Sequence, residues 1–406
     1  MRRRLGAFVR RFDRCIKTKP SRRHLRTYVG GQVSDLPRKS VEPIALEAGV
    51  PPRTLQEFLS LHRWDEAAVR RRVQQIVQRE HGDPNAIAVV DETGCPKKGQ
   101  KTAGVQRQSC GASGKIDNCV ITVHLGFATK DVHTLVDGDL YLPKDTWHED
   151  RQRCRAAGIP DTVVYRPTWR IALDLIERSR ANGLVLRYVV GDEAYGNKPG
   201  FRHGVDAMGL TYVVEVPCAT RGWRKRPRMV LPGASGDIGR PRTRAALAPE
   251  AKPARRVDDW WQRRGPRWQA FHVKDTEKGP VVWEARATRF VPSENHLPGE
   301  EGWLIVARHV LTGEVKSFLS NAPTETPIEV LLHVGFSRWS IERDFQDAKG
   351  EIGFDHFEVR QYRSLMRHVI LSLVSLLFLM RETTRLRGKK PVVECAPGAA
   401  GGRDAA

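Results

Sequence analysis

The chain has 406 residues, 68 of them Lys or Arg against 47 Asp or Glu, giving a net charge of +21 and an isoelectric point near 10.0. That length is enough for two or three domains with a sizeable core, and the positive excess suits a polyanionic partner, nucleic acid before membrane. The seven cysteines are scattered, with no C-x-x-C pair. This excludes a zinc module or redox motif and fits the reduced thiols of a cytosolic protein without a signal segment. The apolar run 369–380 is about a dozen residues long where a membrane span needs about 20, so it reads as a buried core helix and no membrane partner is expected.

Residues 1–84 read as a basic, α-helical, DNA-binding unit. Arg2, Arg3, Arg4, Arg10, Arg11 and Arg14 open the chain. The stretch 44–59 resembles a helix-turn-helix, with a short apolar helix, a turn at Gly49 and a Pro-started helix with Thr54 near its N-terminus. A plain helical hairpin fits the same pattern. Val69, Val73 and Ile76 fall at helical spacing and close the unit.

From 85 to 216 the chain alternates between strand and helix, an α/β pattern. A strand at 87–90 ends in Asp91 and is followed by a glycine-rich basic loop with Lys97, Lys98 and Lys101. Strands at 119–127 and 134–142, a helix at 169–180, a strand at 184–190 ending in Gly191-Asp192, a helix at 199–208 and a strand at 210–216 follow. Residues 217–322 form a β-rich insertion, with antiparallel strands expected at 268–273, 281–290, 303–309 and 315–319. Helical sequence returns over 323–387, including 338–353 and 363–381, and 388–406 reads as a flexible tail.

At about 100° per residue, the 338–353 helix carries Ile341, Phe345, Ala348 and Ile352 in one narrow stripe that packs on a core. Arg338, Glu342 and Lys349 share a strip beside it, Asp347 lies nearly opposite, and Asp344 and Glu351 flank the other edge. Taken alone, such a helix is ordinarily a solvated salt-bridge face. Asp91 and Asp192 each stand at the C-terminal end of an apolar strand, the edge where α/β sheets gather ligands. The ordinary role of such a residue is a turn or N-cap.

Were the two strands neighbours, the aspartates would meet, and like charges in a partly dry site call for a cation. A hard divalent ion such as Mg2+, with Mn2+ as a substitute, takes carboxylate oxygens and keeps positions open for water and phosphate. Two such ions, about 4 Å apart, clamp the attacking and leaving oxygens of a phosphodiester. Two aspartates hold two ions poorly, which makes Glu342 the candidate third ligand. Lys97, Lys98 and Lys101 are candidate phosphate contacts, as are Arg338 and Lys349, although these last two could equally be salt-bridged to Glu342. Trp260 and Trp261 offer a surface for stacking an unpaired base, though such pairs more often belong to a core. Glu92 and Glu193 point to the opposite face of an extended strand from the key aspartates.

The motifs Val90-Asp-Glu-Thr-Gly94 with Lys97-Lys98-Gly99, Gly191-Asp-Glu-Ala-Tyr-Gly196 and Arg338-Trp-x-Ile-Glu342 with Phe345-Gln-Asp-x-Lys349 resemble bacterial DDE transposases, most closely the insertion sequence 701 family. Gly104-Val-Gln-Arg-Gln108, Leu140-Tyr-Leu-Pro143 and Arg153-Cys-Arg-Ala-Ala-Gly158 extend the resemblance over roughly 20–385. It implies a ribonuclease-H-like catalytic core, a mixed sheet flanked by helices, with the β-rich insertion before the final acid. It also implies Asp91, Asp192 and Glu342 as the catalytic, metal-binding triad, and Arg338 and Lys349 as the Arg and Lys of the family's helix signature. The signature's tyrosine position is occupied by Gly335. The implied activity is cleavage at terminal inverted repeats and joining to target DNA, by a cytoplasmic, nucleoid-associated protein that forms a homodimer on synapsis. Two other classes compete: a DNA-binding protein with an inactive core, whose mark would be a lost triad acid, and a nuclease of the same fold without strand transfer.

Overall fold

Helices open the chain: α1 (Arg2–Val9), α2 (Lys19–Gln32), α3 (Val41–Glu47), α4 (Pro52–Ser60) and α5 (Glu66–His81). The computed structural model describes residues 2–231, 243–261, 267–276 and 279–387. Local chemistry sets the helix ends. Thr18 Oγ1 accepts the backbone N–H of Ser21 at the start of α2, and Asp65 accepts that of Ala68 at the start of α5. Gly49, at φ +64°, turns the chain between α3 and α4, as expected for a helix-turn-helix outline.

These helices do not stand apart from the rest of the molecule. They pack on α13 (Tyr362–Arg387), a helix longer than the predicted 363–381. Gln32 Nε2 donates to Ser372 Oγ at 2.9 Å, Ser375 Oγ donates back to Gln32 Oε1 at 2.8 Å, and Tyr28 Oη meets His368 Nδ1 at 2.8 Å. Among the described residues α13 is long and apolar enough to cross a membrane, but 83% of its apolar window is buried in the protein. It is the core helix the sequence led us to expect.

The middle of the chain supplies β1 (Ile87–Pro96), β2 (Gln106–Cys110), β3 (Lys115–Ala128), β4 (His133–Leu140), α6 (Arg151–Ala156), α7 (Thr168–Ala181), β5 (Tyr188–Gly191), α8 (Glu193–Gly196), α9 (Pro199–Ala207) and β6 (Thr211–Val216). Strand β2 was not predicted. Its residues alternate at the sheet margin without an apolar run to announce them. Strand β3 pairs β1 along one edge, and on the other it pairs first β2 and then β4, all antiparallel. On the far side of β1, β5 and β6 run parallel to it.

The stretch after residue 217 extends this same sheet. It holds β7 (Arg221–Trp223), β8 (Met229–Val230), β9 (Ala246–Leu247), β10 (Arg255–Arg256), α10 (Val257–Trp261), β11 (Gln269–Thr276), β12 (Gly279–Glu294), β13 (Leu297–Pro298), β14 (Gly302–His309) and β15 (Val315–Ser320). Strand β15 pairs β6, β14 pairs β15 and β12 pairs β14, so the sheet grows outward from the parallel strands without a break. Helices α11 (Ile328–Phe336) and α12 (Trp339–Ile352) then return across it. A large mixed sheet flanked by helices is consistent with the ribonuclease-H-like expectation.

One buried cluster ties the N-terminal helices to the sheet. Asp137 on β4 is fully buried and meets Arg70 of α5 at 2.8 Å and Arg178 of α7 through both carboxylate oxygens at 2.8 Å. Removing one partner of such a set leaves buried charge uncompensated. Asp137→Ala is therefore expected to lose about 3 kcal/mol of unfolding free energy, read from denaturant midpoints. An unchanged midpoint would show that the cluster carries no stability.

Candidate active site

Strands β1 and β5 lie in the register Ala88↔Val189, Val89↔Val190, and β5 and β6 in the register Val190↔Val213, Gly191↔Val214. Asp91 lies two residues past Val89, and Asp192 two past Val190, so the same register sets these acids level on neighbouring strands. Asp192 is likewise level with Glu215 on β6. An acidic row thus crosses the sheet where β5 gives way to α8.

Asp192 is the N-cap of α8 and accepts the N–H of Ala194 at 2.9 Å, so it fills the ordinary capping role while also joining the row. Strand β1 does not end at residue 90. Its β3 partner stays paired with it from Ile87 to Pro96, carrying Asp91 and the residues after it in extended form. The basic loop therefore begins at Lys97. Glu193 is not on an extended strand either; it is exposed in the first turn of α8.

Charge and burial compete at these acids. Burial first, then the charges of Asp192 and Glu92, push the Asp91 carboxyl up to about 7, against the pull of the Glu92 N–H and of Arg338. Glu92 is also raised, again mainly by burial, although the buried Tyr195 hydroxyl donates to its Oε2 at 2.5 Å. That bond links the two sequence motifs directly, and neither sequence pattern signalled it.

Arg338 enters the row from the start of α12. Its Nη2 meets Glu342 Oε1 at 2.6 Å, its Nη1 meets Asp91 Oδ2 at 3.6 Å, and its Nε meets Glu215 Oε2 at 3.8 Å. Burial works against its charge, but Glu342, Asp91, Glu215 and Asp192 together raise its pKa. Glu215 was missed in the sequence. A lone acid in the apolar run 210–216, near the end of a third strand, was the available signal. Lys316 of β15 partners it at 3.0 Å.

The other expected site residues separate. Lys349 Nζ donates to the Gly94 carbonyl at 3.3 Å and has no recorded bond to Glu342. Lys97 is turned inward, contrary to its expected phosphate role. Its Nζ donates to the Asp355 and Phe357 carbonyls at 3.1 and 2.7 Å and lies 3.4 Å from the centre of the Phe357 ring. The reason is the length of β1, which delivers Lys97 against the segment after α12. Lys98 and Lys101 are exposed. Trp260 and Trp261 fall in α10, and their side chains lie outside the described residues. On α12, Asp344 is not a rim residue but a buried one, its Oδ1 2.7 Å from His133 Nδ1.

Gly335 has a steric cause. A Cβ there would sit 3.2 Å from both the Phe318 ring and Val213, so α11 approaches the sheet too closely for a tyrosine. Phe336 instead packs on Trp283, with ring centroids 4.5 Å apart.

No group of three or more His, Cys, Asp or Glu side chains is set to hold a metal among the described residues. The donor chemistry nevertheless fits a hard divalent cation, because neighbouring carboxylates hold one another's charge at a cost that a cation relieves. Asp91 and Asp192 are the residues that would hold it, while Glu342 on α12 is linked to Asp91 through Arg338.

The raised Asp91 pKa fixes a pH dependence. Between its ordinary value of 3.8 and about 7, the native state keeps a proton that the unfolded state has released. Its stability contribution is therefore full below the lower value and lost as pH rises through the upper one. In chelator-containing buffer, Asp91→Asn should gain on the parent protein in denaturation midpoint from about pH 4 to pH 8. A difference that stays constant over that range would contradict the assigned environment.

The DDE superfamily endonuclease family model matches residues 11–280. That segment includes Asp91 and Asp192 and stops before α12, which carries Glu342. A protein of Microchaete diplosiphon, described as a probable transposase for insertion sequence element IS701, is 26% identical over 341 residues, which is 82% of this chain and 75% of that relative. With more than half of its length matched to the family, the chain belongs to the DDE superfamily endonucleases.

Proposed function

We propose that this protein is a transposase that cuts DNA at the ends of an insertion sequence and joins the freed ends to target DNA. The observation that carries the reading is the placement of Asp91 on β1 beside Asp192, just past the end of the neighbouring parallel strand β5, with Arg338 tying Asp91 to Glu342 on α12. The relative described as a transposase supports the same conclusion.

The reaction begins with water adding to a phosphate at the element's end and the 3′-oxygen leaving. The resulting 3′-hydroxyl, losing its proton, then attacks a phosphate of the target in line, and the target's own 3′-oxygen leaves and takes up a proton. Asp91, Asp192 and Glu342 would be the ligands for two Mg2+ ions, or Mn2+ in their place. When bound, such ions lower the pKa of water and neutralise charge that develops on the phosphate oxygens. Arg338 and Lys349 offer cations beside the acids for phosphate contact, and Lys98 and Lys101 extend that surface from an exposed loop. The α3–Gly49–α4 unit is the reader of the terminal repeats, and a homodimer pairs the two ends.

Purified protein incubated with DNA carrying the element's own ends and Mg2+ or Mn2+ should yield cleaved and joined products. Glu342→Gln should abolish both products while DNA binding persists. Products undiminished in Glu342→Gln would overturn the triad, and cleavage without joining would make the protein a nuclease only. Binding should also weaken steeply with salt, as about six to ten neutralised phosphates require. A flat salt response would remove the basic surface as the DNA track.

A further inference from the structure

We propose that Arg338 is an internal counter-ion, which holds the acidic cluster together in the free protein and must withdraw before a divalent cation can be bound. The inference rests on the metal-binding reading of Asp91 and Asp192. Acids from β1, β5, β6 and α12 are brought to one place by the fold, and Arg338 is the cation that touches acids on three of those elements. Its guanidinium spans the row from Asp91 to Glu215 and is also coupled electrostatically to Asp192 between them.

This arrangement explains why these acids are not gathered as a metal-holding group. Glu342 is drawn onto Arg338 at 2.6 Å and remains half exposed, at 50% of its side-chain surface, while Asp91 is only 16% exposed. Arg338 holds the two acids at opposite ends of its guanidinium group, one terminal nitrogen for each. With the guanidinium gone, Lys316 still pairs with Glu215 at the far end of the row, and no ion pair among the described residues other than that of Arg338 reaches Asp91 or Glu342. A divalent ion and Arg338 thus compete for the same carboxylate oxygens. Withdrawal of Arg338 frees Glu342 for the ion and the guanidinium for a phosphate of bound DNA. Coupling of this kind makes metal loading favourable when DNA is present and disfavours it when DNA is absent.

The test is Mn2+ binding to the full chain without DNA, read from the free-ion electron paramagnetic resonance signal, alongside thermal melting with and without Mn2+. Arg338→Ala is expected to bind Mn2+ about tenfold more tightly than the parent, since no positive charge a few ångströms away must be displaced. It should also melt lower than the parent without Mn2+ and recover that loss when Mn2+ is added. Arg338→Gln, which keeps the aliphatic stem and an amide donor but not the charge, should show the same tightening and guards against misfolding of the alanine variant. Unchanged or weaker Mn2+ binding in both variants, with binding still lost in Asp192→Asn, would overturn the counter-ion role while leaving the metal site in place. Mn2+ binding that Asp192→Asn does not affect would instead overturn the metal-site reading itself.

Discussion

The structure turns on a like-charge constraint. Pairing β1, β5 and β6 in parallel register sets Asp91, Asp192 and Glu215 level with one another. Carboxylates held this close in partly dry surroundings repel one another, and burial raises the cost. The protein meets that cost in three ways. Asp91 is pushed toward its neutral form, Tyr195 donates to the neighbouring Glu92, and Arg338 spreads one positive charge over several acids. Stability is given up locally at this acidic row, and the surrounding packing has to supply it.

That packing comes from distant parts of the chain. α13 forms a central support, with the N-terminal helices hydrogen-bonded to it through Gln32, Ser372 and Ser375. Asp137, Arg70 and Arg178 clamp α5 and α7 to β4. Ile341 of α12 packs over Gly126 of β3, and its fully buried side chain seats the helix on the sheet. This approach sets Glu342 near the row, and the close fit at Gly335 fixes α11 just before it. The helix that carries Glu342 is therefore positioned by packing on both sides of the Arg338 turn, with the closest approach at Gly335.

Much of this was legible in the sequence, because it depends on local pattern. The apolar runs before Asp91 and Asp192, the stripe of Ile341, Phe345, Ala348 and Ile352, and the Arg338–Glu342 spacing all follow from the periods of strand and helix. The stripe is buried as expected, and the Arg338–Glu342 pair forms at i, i+4. Features that required knowing a neighbour were not legible. Lys97 reads as a loop cation until β1 is seen to continue along β3, and Asp344 reads as a rim acid until His133 is placed beside it.

The sequence by itself determined the family, the strand ends at which Asp91 and Asp192 stand as candidates, and the helix that presents Glu342 and Arg338 on one strip. Only the tertiary structure decided that Asp91, Asp192 and Glu215 form a level row, that Tyr195 reaches Glu92, and that one guanidinium is shared among acids from separate elements. The physical reason is that strand register and helix approach are set by pairing and packing between segments far apart in the chain. Periodicity fixes which face a side chain takes, and only the partner strand fixes what it faces.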